Sequence, residues 1–220
     1  SPEARSMPTN KSLLVTLPRH DVVTMYLSAW SEEVVALAHT KRIPTYALRG
    51  EKATRTQFES YVRARRPSYI FLNGHGNADM VTGHADEPMV DCASPLDETI
   101  VYARSCDAGQ VLGPLLAKEK YVVFLGYKRK FMIGYLLKNM ARPQTDPLAA
   151  LFLRSSNLAP LTLLKGHTAL EAHMRAKEAM YRNFRRMISS AATYEERYAA
   201  RWLWGNITSQ VLFGDGNRRM

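Results

Sequence analysis

The chain has 220 residues, of which 46% are hydrophobic and 23% are charged. This balance provides enough apolar material for one domain with a buried core, and it excludes intrinsic disorder as a class. No apolar run reaches the 18 residues of a membrane span and no signal-peptide pattern is present, so we expect a soluble, cytoplasmic protein without membrane contacts.

The net charge of +10 favours acidic partners, and much of the excess lies in one late segment. The basic residues of this segment are Arg175, Lys177, Arg182, Arg185 and Arg186. They indicate either a solvated helix face or a surface that binds nucleic acid or another acidic partner. No recognised nucleic-acid-binding motif accompanies them, so we do not expect a nucleic-acid partner.

Two cysteines, Cys92 and Cys106, are too few for a disulfide framework and too far apart for a thiolate metal site. His167 and His173 are six residues apart, which does not suit shared metal ligation. We therefore predict free thiols, no metal and no cofactor.

The elements of the first half alternate between strand and helix. Apolar runs predict strands at 13–17, 44–48, 69–72, 99–103 and 121–125. Helical periodicity predicts helices at 21–39, with Asp21 as N-cap, at 54–65 and at 107–118. Residues 79–91 predict a hairpin or a long loop. Such alternation is typical of an α/β protein with a mostly parallel sheet covered on both faces.

The second half is helical. Periodicity predicts helices at 146–157, 168–189 and 193–206, with a brief apolar finish at 211–213. We expect this half to pack on the sheet, which gives a single domain over residues 7–216. Residues 1–6 are interpreted as a tag or a disordered N-terminus.

Two chemically capable residues follow consecutive strands of the first half. His75 lies between Gly74 and Gly76 where the third predicted strand ends, and Cys106 lies where the fourth ends and a helix is predicted to begin. Parallel strands place such ends at one edge, where α/β proteins bind ligands. If the two strands are neighbours, His75 and Cys106 come face to face.

Each position suits a role in acyl transfer. A helix N-terminus favours the thiolate of Cys106, and His75 can act as the base that later protonates the leaving amine. The N–H groups of Gly76 and Cys106 are the predicted oxyanion hole. Taken singly, His75 can also be a turn residue and Cys106 a small buried apolar group, and His84 is a rival base.

An apolar strand ending in His75-Gly76, followed by one ending in Ser105-Cys106 with Gly109 three residues later, resembles the clan of caspases, metacaspases, legumains, gingipains and separases. This resemblance implies a three-layer α/β/α sandwich, a catalytic dyad without an obligatory carboxylate, and a protein substrate.

The later segments resemble the CHAT-type caspase-like domains of bacteria. Gly166 leads into a helix with Glu171-Ala172, and the chain closes with 212–215, Leu-Phe-Gly-Asp, followed by Gly216 where proline is usual. This implies a regulated effector in defence or cell death that needs an activating protein partner. Residues 79–98 and 128–147 are expected to order on activation, and the oligomeric state is left open.

In this clan the residue two before the nucleophile often lines the specificity pocket. That residue is Arg104, and a cation there predicts cleavage after Asp or Glu, with Asp107 placed in the same substrate-binding region. In the alternative, Asp107 or Asp79 neutralises Arg104, or Arg104 points away. Two further classes stay open, a basic module that binds acidic partners and a catalytically silent caspase-like scaffold.

Overall fold

The structure, a computed structural model, describes residues 10–220, so the expectations for residues 1–6 and for the first residues of the predicted domain lie outside it. The strands are β1 (Asn10–Leu17), β2 (Thr45–Arg49), β3 (Pro67–Asn73), β4 (Val81–Thr82), β5 (Pro88–Val90), β6 (Ile100–Arg104), β7 (Val123–Tyr127) and β8 (Gln210–Phe213). The helices are α1 (Val22–Thr40), α2 (Arg55–Arg65), α3 (Leu112–Lys120), α4 (Pro147–Ser156), α5 (Leu158–Leu164), α6 (Ala169–Met187) and α7 (Tyr194–Ser209).

Six strands form the main sheet in the order β2-β1-β3-β6-β7-β8. The first five are parallel, and β8 closes the edge by pairing antiparallel to β7. The predicted mostly parallel sheet is confirmed, and the third and fourth predicted strands, β3 and β6, are neighbours. β4 and β5 form a separate small hairpin between them in sequence.

The sheet is buried on both faces because alternate residues of each strand point to opposite sides. On one face Tyr69, Phe71 and Tyr102 pack with α1 and with helices α4 to α7. On the other face Ile70 and Val101 pack with α2, α3 and the β4–β5 hairpin. The predicted three-layer α/β/α fold with a helical second half packed on the sheet is therefore confirmed.

The helix predicted to begin at Asp107 begins five residues later, at Leu112. Asp107 has a φ of 61°, which a right-handed helix cannot contain, and its N–H bonds to the carbonyl of Arg129. The N–H of Gly109 bonds to the carbonyl of Tyr127, so residues 106–111 form a loop held against the end of β7. A Cβ at Gly109 would lie 2.8 Å from Val211, which explains why a glycine is needed.

The helical half contains one helix that the sequence did not predict. α5 follows α4 almost directly, and Pro160 lies in its first turn, where a missing N–H breaks no helical hydrogen bond. Within residues 10–220, no helix is both long and apolar enough to cross a bilayer.

Candidate active site

The ends of β3 and β6 bring the two predicted catalytic residues to one edge of the sheet. Asn73 at the end of β3 pairs with Arg104 at the end of β6. His75 lies two residues after Asn73, and Cys106 lies two residues after Arg104. The two segments touch beyond the strands, because a Cβ at Gly76 would lie 3.1 Å from the carbonyl oxygen of Cys106. A side chain at this position would force the neighbouring backbone to shift, because the same Cβ would lie 2.9 Å from the carbonyl oxygen of Met80.

Asp21 completes this arrangement, and sequence reasoning assigned it only to the cap of α1. Its Oδ1 accepts the Thr24 N–H at 2.8 Å, while its Oδ2 lies 2.6 Å from Nε2 of His75. Partial burial acts to raise the pKa of Asp21, but the hydrogen bonds from Thr24 and His75 hold it below its ordinary value. Asp21 is therefore a carboxylate that fixes the orientation of the His75 ring.

The signal for Asp21 was present in the sequence. Asp21 follows β1 in the loop to α1, and β1 is the strand next to β3 in the sheet. A polar residue at the end of a neighbouring parallel strand belongs to the same edge as His75. The order β1-β3 could not be read from the sequence, which is why this contact was missed.

Cys106 is a half-buried thiol whose Sγ lies 3.9 Å from the carbonyl oxygen of Phe131. Burial raises the pKa of this thiol above its ordinary value, and the Asp107 carboxylate adds to that effect, while Lys130 opposes it. The predicted thiolate at a helix N-terminus is wrong, since α3 begins only at Leu112. The raised pKa indicates that Cys106 is a protonated thiol at neutral pH.

Arg104 is fully buried, and the predicted pocket wall is wrong for this residue. Its side chain lies on the same face as Ile100 and Tyr102, because the alternation of β6 directs all three towards α1 and α4. The guanidinium donates to neutral oxygens of the core rather than to a substrate. These acceptors are Oδ1 of Asn73, Oγ of Ser31, Oγ of Ser156, Oδ1 of Asn157 and the carbonyls of Leu27 and Leu153.

Asp107 lies beside Cys106 with its side chain partly exposed. One carboxylate oxygen accepts a hydrogen bond from Nε2 of Gln110 at 3.2 Å. Its substrate-binding role stays a prediction. The exposed free thiol of Cys92 lies in the segment that follows β5.

His84 lies in the β4–β5 hairpin and not at the end of a strand of the main sheet. Its ring packs edge-on against His20, with 5.6 Å between the ring centroids. His20 in turn packs edge-on against His75 at 6.0 Å. His84 therefore belongs to a cluster of three histidines, with His20 between it and His75.

Four ligand-type side chains converge at this edge of the sheet. They are His20, Asp21, His75 and Asp86, and one ligand atom from each lies within 4.8 Å of all the others. Nε2 of His20 is 2.9 Å from Oδ1 of Asp86 and 4.0 Å from Oδ2 of Asp21. The sequence did not predict this group because its members come from three separated segments.

Three of the five basic residues of α6 pair with acidic residues of α6 itself or of the neighbouring α7. Arg182 pairs with Glu178 and Arg186 with Glu196, each at 3.1 Å. Arg175 lies 4.0 Å from Glu171. These contacts favour the solvated helix face over the surface for acidic partners.

Comparison with known proteins identifies the fold. No family model and no curated protein matches the chain. A chain of the solved complex of Porphyromonas gingivalis RgpB pro- and mature domains superposes with a TM-score of 0.61 at 8% identity. The match covers 94% of the present chain and 48% of that chain, so the present chain spans about half the length of this neighbour. At this identity the likeness shows the caspase-like fold alone.

Proposed function

We propose that this chain is a caspase-like cysteine peptidase in which Cys106 attacks the substrate carbonyl and His75 is its base. One observation carries this proposal. His75 and Cys106 follow paired positions of adjacent parallel strands, and Asp21 holds Nε2 of His75 at 2.6 Å. The caspase-like fold of the structural neighbour supports the same assignment.

The Asp21 contact defines what each ring nitrogen of His75 does. Oδ2 of Asp21 accepts the proton on Nε2, which leaves the lone pair of Nδ1 to take the thiol proton of Cys106. Because burial keeps Cys106 protonated at rest, proton transfer accompanies attack on the carbonyl. His75 then returns the proton to the leaving amine, and water releases the acyl group.

The predicted oxyanion hole is retained in the proposal. Gly76 and Val81 form an isolated antiparallel β-bridge. Its hydrogen bonds are donated by the Thr82 N–H to the His75 carbonyl and by the Asn77 N–H to the Met80 carbonyl. The Gly76 N–H is thus not used by the bridge. Among residues 10–220 no acceptor is found for the Cys106 N–H either, and two free donors beside the nucleophile suit a developing oxyanion.

The biological setting is also part of the proposal. We infer a protein substrate and an activating protein partner, as in the regulated bacterial effectors that the sequence resembles. Residues 128–147 carry the Phe131 carbonyl that contacts the Cys106 thiol, so a partner that moves this segment would act directly on the nucleophile. With Arg104 buried, an acidic cleavage preference has no support.

Side-by-side mapping of cleavage sites by mass spectrometry tests the proposal. The native chain and Cys106→Ala are each incubated with a denatured proteome, and new N-termini are expected only with the native chain. A thiol-reactive peptide probe should label Cys106 in the native chain and much less in His75→Ala. Equal labelling of the two proteins together with no new N-termini would identify a catalytically silent scaffold.

A further inference from the structure

We infer that His20, Asp21, His75 and Asp86 form a site for one Zn²⁺ ion, and that occupancy of this site switches the enzyme off. The binding site rests on geometry alone. The switching rests on the proposed function, because it assigns His75 as the base. Two of the four residues, His20 and Asp86, have no part in the proposed peptidase mechanism. Substitutions at these two residues can therefore test metal binding without removing the base.

The four ligand atoms have nearly the spacing of a tetrahedral site. With metal–ligand bonds of about 2.0 Å, tetrahedral ligands lie about 3.3 Å apart. Here Nε2 of His75 and Oδ2 of Asp21 are 2.6 Å apart, Nε2 of His20 and Oδ1 of Asp86 are 2.9 Å apart, and no pair exceeds 4.8 Å. Shifts below about 1.5 Å, within the reach of side-chain rotation, would complete the tetrahedron.

The ligand set also selects the class of metal. Two imidazoles and two carboxylates suit zinc and similar transition-metal dications, whereas Ca²⁺ and Mg²⁺ prefer oxygen ligands only. The two carboxylates balance the charge of the ion and the two imidazoles are neutral ligands, so the occupied site itself is neutral. We therefore expect Zn²⁺, and Co²⁺ as its spectroscopic substitute, to bind.

The cluster is held firmly on one side and open on the other. Only 13% of the His20 side chain is exposed, whereas 34% of His75 and 57% of Asp86 is exposed. His20 and Asp21 enter from the β1–α1 loop, His75 from the end of β3 and Asp86 from the β4–β5 turn. An ion can therefore reach the site from solvent without unfolding any of these elements.

Metal binding at Nε2 of His75 removes the base by a change of tautomer. The free neutral ring carries its proton on Nε2, shared with Asp21, and keeps a lone pair on Nδ1. When the metal occupies Nε2, the proton of the neutral ring must reside on Nδ1. The ring then has no lone pair for Cys106, and Asp21 no longer orients it.

The binding test uses the full chain after removal of metals with a chelator. Titration with Co²⁺ should give the visible absorption bands of a tetrahedral ion at a stoichiometry of one, and calorimetry should show Zn²⁺ competing for the same site. Cys106→Ala should bind Co²⁺ as the native chain does. His20→Ala and Asp86→Asn should each weaken binding at least about tenfold, while the neighbour His84→Asn leaves it unchanged.

The activity test follows from the same variants. Zn²⁺ should inhibit peptide cleavage by the native chain reversibly, and His20→Ala and Asp86→Asn should keep activity without metal but require at least about tenfold more Zn²⁺ for inhibition. Absence of Co²⁺ bands, or equal inhibition of the native chain and both variants, would overturn the site. Co²⁺ binding in a chain that cleaves nothing, and whose Cys106 is labelled equally in the native chain and in His75→Ala, would uphold the site and refute the proposed function.

Discussion

At the scale of single residues, Asp21 uses its two carboxylate oxygens for two different purposes. Oδ1 caps α1 through the N–H of Thr24, and Oδ2 holds the ring of His75. An asparagine at this position is an equally good helix cap but cannot offer a charged acceptor to Nε2. The two roles can therefore be separated by substitution.

We predict that Asp21→Asn lowers kcat/KM by about 10²-fold or more, because the His75 ring loses the partner that fixes its tautomer. The unfolding temperature should change little, since the cap is kept. Asp21→Ala should lose activity to a similar extent and also about 1 kcal/mol of unfolding free energy. Activity and thermal unfolding are measured on the same preparations. Full activity in Asp21→Asn would show that Asp21 only caps α1 and does not assist His75.

Cys106, the proposed nucleophile, gives a second prediction, which concerns the protonation of its thiol. In a Cys92→Ser chain, where Cys106 is the sole thiol, the alkylation rate with iodoacetamide should rise to its plateau at a higher pH than for an ordinary cysteine, because burial raises the pKa of Cys106. Asp107→Asn should move the midpoint to lower pH, since a neighbouring negative charge disfavours the thiolate.

Lys130→Ala is the matched control and should move the same midpoint to higher pH, because the ammonium group favours the thiolate. Both variants change one exposed or half-buried charge and leave the core unchanged. A midpoint below the range of ordinary cysteines would instead indicate a resting thiolate paired with protonated His75.

At the scale of elements, Arg104 ties β6 to three other parts of the fold. It donates to Asn73 on β3, to Ser31 on α1 and to Ser156 on α4, and its guanidinium stacks over Phe71 at 5.1 Å. No carboxylate contributes a hydrogen bond to this buried cation among the described residues. Its charge is thus stabilised by neutral oxygens that only the folded chain assembles.

We predict that Arg104→Met lowers the free energy of unfolding by about 3 kcal/mol, because it leaves several buried acceptors without a donor. Arg104→Lys should cost a similar amount, since an ammonium group cannot reach acceptors on three elements at once. Urea unfolding measures both. Unchanged stability together with altered cleavage specificity would contradict this structural role and would indicate that Arg104 lines the substrate pocket.

The sequence allowed prediction of those features that depend on local pattern. Alternating strands and helices gave the fold class, and strand ends gave His75 and Cys106. The sequence could not show which face of the sheet the Arg104 side chain points to, because that depends on how β6 pairs with its neighbours and on which helices cover each face. The start of α3 depended on bonds from residues 107 and 109 to the far end of β7, which no local pattern contains. The Asp21–His75 contact likewise required the order of β1 and β3.

At the scale of the whole molecule, a polar contact centred on Gln210 joins α6 to the sheet. Gln210 at the start of β8 donates from Nε2 to Nδ1 of His173 on α6 at 3.0 Å, and its Oε1 accepts from the hydroxyl of Tyr127 on β7 at 3.3 Å. The bond requires an unprotonated Nδ1 on His173. Burial lowers the pKa of His173 to about 4, and Lys177 contributes to the same direction.

This contact predicts a loss of stability in mild acid. The unfolded chain binds a proton at His173 below about pH 6.5, whereas the folded chain does so only near pH 4, so the contribution is complete above 6.5 and is lost as the pH falls towards 4. The expected loss is about 1–3 kcal/mol between these values.

Urea unfolding of the native chain and of His173→Gln at pH 7, 5.5 and 4 measures this contribution. Other groups also titrate in this range, and the growing positive charge of a chain that already carries +10 destabilises both proteins alike. The difference between the two proteins therefore isolates His173, and it should shrink or reverse in favour of His173→Gln as the pH falls. A difference that stays constant from pH 7 to pH 4 would show that His173 titrates equally in both states, and that the junction of α6 with β8 does not depend on its neutral form.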